Sequence, residues 1–199
     1  TQVNATDWAF TGLNKGKYQV EVISVDCTVS RTVDVDESPA FTVATATTDI
    51  TCNAMRDGTI SMTVTGGAGD VQYAISPRLD RFVSEGYFTN LGRGQYVVRA
   101  QDKNGCFVDE VFTIHEPDVL NAIIDKQTDE VCYGAGDGTV SITITGGTQS
   151  YSTSIDGGAW TVDKTLYTGL ASGTYTIKVR DAMSCTTESD PITIKGGVD

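Results

Sequence analysis

Asp57-Gly58-Thr59-Ile60-Ser61-Met62-Thr63-Val64-Thr65-Gly66-Gly67 is an Asp-Gly turn, an alternating run and a Gly-Gly stop. Successive side chains of an extended chain point to opposite faces, so Ile60, Met62 and Val64 share one face and Ser61, Thr63 and Thr65 the other. The same stretch returns 80 residues later as Asp137-Gly138-Thr139-Val140-Ser141-Ile142-Thr143-Ile144-Thr145-Gly146-Gly147. Tyr96 to Ala100 and Tyr175 to Val179 alternate likewise, and no stretch has a helical period. Short strands punctuated by Gly and Asp-Gly, in units near 80 residues, read as all-β: tandem immunoglobulin-like antiparallel β-sandwich domains in an extended array.

A second motif follows each strand set. Phe10-Thr11-Gly12-Leu13-x-x-Gly16-x-Tyr18 returns as Phe88-Thr89-Asn90-Leu91-x-x-Gly94-x-Tyr96 and as Tyr167-Thr168-Gly169-Leu170-x-x-Gly173-x-Tyr175. Leu-x-x-Gly-x-Tyr reads as a tyrosine corner: glycine permits a tight turn, and the tyrosine hydroxyl bonds back to it. The leucine of each corner is expected to plug the end of a core.

Front and back motifs together make two complete copies, 39–116 and 117–199, while residues 1–38 hold a back half alone. The chain is thus expected to be a piece of a longer array, opening mid-repeat. Pro39 and Pro117 start the copies with no room for a long linker, which suggests a semi-rigid string of beads. Asp26, Asp102 and Asp181 fall at one place in the unit and read as turn caps. Ser154 to Trp160 reads as a strand, hairpin turn and strand, with Trp160 and Phe82 at corresponding places and packed inward.

Five cysteines keep the same beat, with Cys27, Cys106 and Cys185 spaced 79 residues apart. Units this small bury only about 60–65% of their unfolded surface, so a covalent link would help. Pairing Cys52 with Cys106 and Cys132 with Cys185 lets each copy fold by itself, although sandwich connectivity puts such cysteines at risk of lying at opposite poles. The other options are Cys27 with Cys52 and Cys106 with Cys132, or free thiols.

The third copy, Cys132 … Asp137-Gly138-Thr139-Val140-Ser141-x-Thr143-Ile144-Thr145-Gly146-Gly147 … Thr168-Gly169-Leu170-x-x-Gly173-x-Tyr175 … Asp181 … Cys185, resembles the SprB-type repeat. The second copy matches from Cys52 to Gly67 and from Phe88 to Cys106, and residues 10–27 match as a back half. No proline follows Gly66-Gly67 or Gly146-Gly147, and residues 76–87 have no counterpart in the family. The resemblance implies a very large surface adhesin of gliding bacteria, exported by the type 9 secretion system. It further implies an extracellular, outer-membrane-associated location and a grip on polysaccharide or a solid surface. Neighbouring repeats of the same chain are the other implied partners, and no catalytic residues come with the family.

The residues agree with a protein that is not an enzyme. The single histidine, His115, stands at the junction beside Glu116 and Pro117, and the cysteines lack zinc spacing. A net charge of -12 argues against nucleic acid, and no apolar run is long enough for membrane insertion in this segment. Calcium is the one cofactor weighed, with Asp34, Asp36 and Glu37, then Glu116 and Asp118, then Asp129, Glu130 and Asp137 as oxygen donors. Each set falls short of the roughly six to eight oxygens that calcium takes. Two functions compete: a disulfide-linked stalk of an adhesin, or carbohydrate-binding modules of a secreted polysaccharide-processing protein. Sugar stacking would draw on Trp8, Tyr87, Tyr133, Tyr151 and Trp160, with Trp8, Tyr151 and Trp160 the first choices.

Overall fold

The computed structural model describes residues 9–198, and every described element is a β-strand. The first two strands, β1 (Gly16–Ile23) and β2 (Thr28–Val35), form an antiparallel hairpin registered from Gly16↔Val35 to Ile23↔Thr28. Val22, Ile23, Val29 and Val33 stay exposed on it, and none of its residues joins either hydrophobic core.

Six strands follow: β3 (Thr42–Thr48), β4 (Gly58–Thr65), β5 (Gln72–Ile75), β6 (Tyr87–Leu91), β7 (Gly94–Gln101) and β8 (Phe107–Ile114). They pair as two antiparallel sheets, β3-β4-β6 and β5-β7-β8, the two-sheet connectivity of an immunoglobulin-like sandwich. Ile60, Met62 and Val64 turn inward from β4 and meet Val98, Ala100, Phe112 and Ile114 from the facing sheet.

The next sandwich repeats the plan with β9 (Asn121–Thr128), β10 (Gly138–Thr145), β11 (Ser152–Ile155), β12 (Thr161–Val162), β13 (Leu166–Leu170), β14 (Gly173–Tyr175), β15 (Ile177–Arg180), β16 (Thr186–Glu188) and β17 (Ile192–Ile194). One sheet is β13-β10-β9; the other is β12-β11-β15-β16, extended by the pair β14-β17. Here the two long strands of the first sandwich are each broken in two, because Ser189 folds in and its hydroxyl accepts the Ile177 N–H at 3.1 Å. The core is Leu120, Val140, Ile142, Tyr167, Leu170, Ile177, Val179, Ile192 and Ile194.

The Gly-Gly stop has a steric cause. A Cβ on Gly146 would lie 1.9 Å from the Val119 carbonyl oxygen, and one on Gly66 would lie 2.1 Å from that of Ala40. Both residues also take positive φ, 71° and 93°. The entering strand therefore runs hard against the turn, and Gly147 N–H donates to the Asp118 carbonyl at 2.9 Å.

All three corner tyrosines bond the carbonyl four residues back: Tyr18 to Asn14 at 2.8 Å, Tyr96 to Gly92 at 2.9 Å and Tyr175 to Ala171 at 2.9 Å. Gly16, Gly94 and Gly173 open the strands that carry them. Leu170 is buried in its core and Leu91 packs against the other, but Leu13 is exposed. Among the described residues the β1-β2 hairpin has no facing sheet for Leu13 to plug.

At the opposite pole Asp102 is buried, with one oxygen accepting from Asn104 and Cys106 (both 2.9 Å) and the other from Ala68 (2.9 Å). Asp181 repeats this with Met183, Cys185 and Thr148. Asp26 is exposed and takes no such bonds among the described residues. Burial is the largest single influence on the Asp102 carboxyl and opposes ionisation. The N–H groups of Ala68, Cys106, Asn104 and Gly105 together outweigh it and hold the carboxyl below the usual range. A depressed folded-state value means that the bonds stabilise in full above the unfolded value of about 3.9 and fade as pH falls through the folded one. The urea midpoint should stay level between about pH 7 and 5 and drop below about pH 4. Asp102→Asn should lower the plateau and shrink that acid drop, measured as a series of urea titrations against pH.

Candidate functional site: the covalent junction between two sandwiches

Cys52 sits in the loop between β3 and β4, at the pole where β8 ends. His115 N–H donates to Asp49 at 2.8 Å, and Ile50 N–H to the His115 carbonyl at 3.0 Å. Cys106 precedes the other end of β8, an eight-residue strand. About 25 Å of strand thus separates two cysteines whose Cα atoms would have to approach within about 7 Å. The expected pairing of Cys52 with Cys106 and Cys132 with Cys185 is therefore not the one formed. Cys52 is bonded instead to Cys185 of the next sandwich, 133 residues away, and Cys27, Cys106 and Cys132 are free and exposed.

Polar contacts surround the bond. Asn53 Nδ2 donates to the Pro117 carbonyl at 3.0 Å, and the Ala54 N–H to Glu116 Oε1. Glu116 Oε2 lies 3.6 Å from Arg93 Nη1, and Cys185 Sγ is 3.3 Å from the Thr51 carbonyl oxygen. A cleft of about 290 Å³ remains between Cys52, Asn53, Val119, Leu120, Cys185, Thr186 and Thr187. The Cys52 loop is stiffened from within: Asp57 accepts both the Thr51 hydroxyl and its N–H, which in that order pull its carboxyl below the usual range.

The calcium candidates are scattered or engaged. Asp34 pairs with Lys17 Nζ at 3.6 Å, while Asp36, Glu37 and Asp118 are exposed. Asp129 accepts the Lys195 N–H, Glu130 that of Gly136 and Asp137 that of Val131. Among the described residues no three His, Cys, Asp or Glu side chains are grouped to hold a metal.

The aromatics are dispersed too, and Trp8 lies outside the described residues. Tyr151 is half-buried against the second core, its hydroxyl donating to the Gly146 carbonyl at 2.7 Å. The turn before Trp160 forms as read, with Asp156 and Gly157 both at positive φ and Gly158 N–H donating to the Ile155 carbonyl at 2.8 Å. Trp160 itself is 40% exposed rather than packed inward, its ring covered by the Arg180 guanidinium at 4.6 Å; Phe82 is half-buried. Tyr87 and Tyr133 are exposed on different sandwiches.

The chain matches the SprB repeat family twice, over residues 44–78 and 124–159. It is a protein of SprB-type repeats. No curated protein matches it. Among solved structures it is similar to the C-terminal 282-residue fragment of intimin in complex with the intimin-binding domain of Tir, at 18% identity over 92% of this chain and 58% of that one, TM-score 0.37. The N-terminal four Ig domains of Dscam1 isoform 7.44 are similar at 16% identity, over 91% of this chain and 54% of that one, TM-score 0.37. The BSP domain of a biofilm associated protein is similar at 17% identity, over 77% of this chain and 30% of that one, TM-score 0.26. The chain spans little more than half the length of the intimin and Dscam1 structures it matches, so the functional reading rests on its own residues.

The two sandwiches are therefore joined twice at this junction, once by the main chain and once by sulfur. With the first sandwich folded, the bond closes a loop of roughly 70 residues when the second unfolds, worth about 4 kcal/mol in the chain-entropy model. Cys52→Ser should keep both cores folded but lower the urea stability of the second by about that amount. It should also let the two sandwiches tumble separately, read as diverging NMR rotational correlation times.

Proposed function

We propose that this chain is a load-bearing segment of a cell-surface adhesin, extracellular and non-catalytic. On this reading its repeats space and stiffen the connection between a cell and the surface it grips. The observation that carries it is the route of force through the Cys52–Cys185 bond. Tension entering along β3 passes through that bond and leaves along β16 and β17. All strands from β4 to β15 lie behind the link and carry none of the chain's tension. A bond with this placement suits a protein that must extend little under load, and a persistent disulfide suits an oxidising, extracellular setting. Attachment to gliding cells, export by the type 9 system and a polysaccharide or solid substratum are the parts of the proposal that the SprB resemblance supplies.

The carbohydrate-module reading is weaker on the geometry. Stacking platforms need exposed aromatic faces side by side, whereas Trp160 is covered by Arg180 and Tyr133 lies in the Cys132 loop beside the Val198 carbonyl, at the other end of the sandwich.

Pulling the oxidised chain by its ends should leave the 133-residue span between Cys52 and Cys185 locked. Reduction should release roughly 450 Å of extra contour length, at about 3.4 Å per residue. Equal extension in both states would remove the mechanical reading. Specific, aromatic-dependent binding of the folded chain to a polysaccharide panel would move the function to the carbohydrate modules instead.

A further inference from the structure

The second sandwich carries the same half of this junction as the first, and among the described residues no cysteine-bearing turn covers its pole. Cys132 corresponds to Cys52, and its loop is built by the same bonds. Lys195 N–H donates to Asp129 at 2.9 Å, Glu130 N–H to the Lys195 carbonyl at 3.1 Å, Val131 N–H to Asp137 at 3.0 Å, and Ala135 N–H to the Cys132 carbonyl at 3.1 Å. These are the counterparts of His115 on Asp49, Ile50 on His115, Thr51 on Asp57 and Met55 on Cys52. The chain also leaves along the same path. Val198 bridges Cys132, just as Pro117 runs past Asn53 in the occupied junction. The Cys132 thiol is exposed.

An independent signal lies in the same loop. Glu130 is only 4% exposed, its Oε1 accepts the Gly136 N–H at 2.8 Å, and its Oε2 is buried with no partner among the described residues. The first sandwich shows how this arises. It has Ile50 where the second has Glu130, Glu116 where the second has Gly196, and Arg93 where the second has Ser172. The carboxylate that holds the Cys52 loop comes from Glu116 and is completed by Arg93. In the second sandwich the carboxylate has moved to residue 130, and a Cβ on Gly196 would lie 3.7 Å from Glu130 Oε2. The cation that completed it is gone. A buried carboxylate oxygen without a donor is costly, so this pole is unfinished where the other is closed.

We propose that the Cys132 pole is a docking site for the cysteine-bearing turn of another SprB-type repeat, closed by a disulfide. The turn is the one shaped by Asp181 at Cys185 and by Asp102 at Cys106. Every repeat then bonds forward through its first cysteine and backward through its second. Cys132 awaits a turn of the Cys185 type, and Cys106 awaits a loop of the Cys52 type. Closure converts two thiols into one S–S bond, and their two protons and two electrons pass to a small-molecule disulfide that leaves as two thiols. The occupant is a repeat because the established Cys52–Cys185 interface is continued, not replaced, and in that interface Ile50, the residue at Glu130's place, lines a cleft together with Thr148 of the following sandwich. The proposal concerns repeat-to-repeat assembly, so its failure would leave the adhesin reading standing.

The test appends a further copy of residues 120–199 directly after Asp199, which preserves the spacing from Leu120 in the natural junction. After folding in a buffer of oxidised and reduced glutathione, peptide mapping should join Cys132 to the appended turn cysteine, with Cys52–Cys185 unchanged. Alkylation of Cys132 should slow at least tenfold against the unextended chain, and Cys132→Ser should leave the appended thiol free. A Cys132 alkylated at the unextended rate, or joined indifferently to Cys27, Cys106 and the appended cysteine, would overturn the proposal. Should the appended copy not fold, two variants of the unextended chain decide. Cys27→Ser/Cys106→Ser mixed with Cys132→Ser should give Cys132–Cys106 links in at least tenfold excess over Cys132–Cys132 links. Equal yields would overturn it.

Discussion

The Cys185 half of the junction depends on one buried carboxylate. Asp181 spends both oxygens on three backbone N–H groups, two in the turn that ends at Cys185 and one in the loop after Gly146-Gly147. Those bonds set the path of the turn, and the turn sets where the Cys185 sulfur lies. Without them the sulfur would ride on a free hairpin tip, and its meeting with Cys52 would carry the full entropy of ordering that tip. The same carboxylate in the first sandwich, Asp102, prepares Cys106 in the same way although nothing bonds it here. A local cap is thereby converted into a long-range covalent contact.

The facing half of the junction shows a function held while its residues move. A carboxylate oxygen bonds an N–H of the cysteine loop in both sandwiches, yet it comes from Glu116 in one and Glu130 in the other. The exchange is spatially coherent, because the position vacated in one copy adjoins the position filled in the next. It also explains why a charged residue occupies a place that the sister repeat fills with the buried Ile50. The N–H bonded is Ala54's in the first copy and, two places further along the loop, Gly136's in the second. Bonding it from within the sandwich leaves one oxygen unpaired among the described residues, whereas the linker carboxylate has Arg93 beside it.

Much of this was legible in the residues. Period-two alternation in Ile60-Ser61-Met62-Thr63-Val64 named the buried face of β4 because only one face of a sandwich strand meets the core. The Leu-x-x-Gly-x-Tyr spacing anticipates the hydroxyl-to-carbonyl bond seen at Tyr18, Tyr96 and Tyr175, since that bond is local in sequence. The cysteine partners were another matter. An 80-residue beat makes a link within one copy and a link to the next copy equally regular, so spacing has no power to choose. One signal was present: the eight-residue run from Phe107 to Ile114 is a strand long enough to hold the two ends of its sandwich apart. Trp160 was misread because its hydrophobic area invites burial, whereas a neighbouring strand offers it Arg180 as cover.

By itself, then, the sequence determined the class of fold, the repeat and the local devices of each repeat, all of which act over a few residues or one strand period. Tertiary structure alone decided which cysteines meet, that a carboxylate could change its chain position and keep its task, and that Glu130 is left with an unpaired oxygen. Those outcomes depend on which poles of which sandwiches come together in space, and distance along a repeating chain does not encode that.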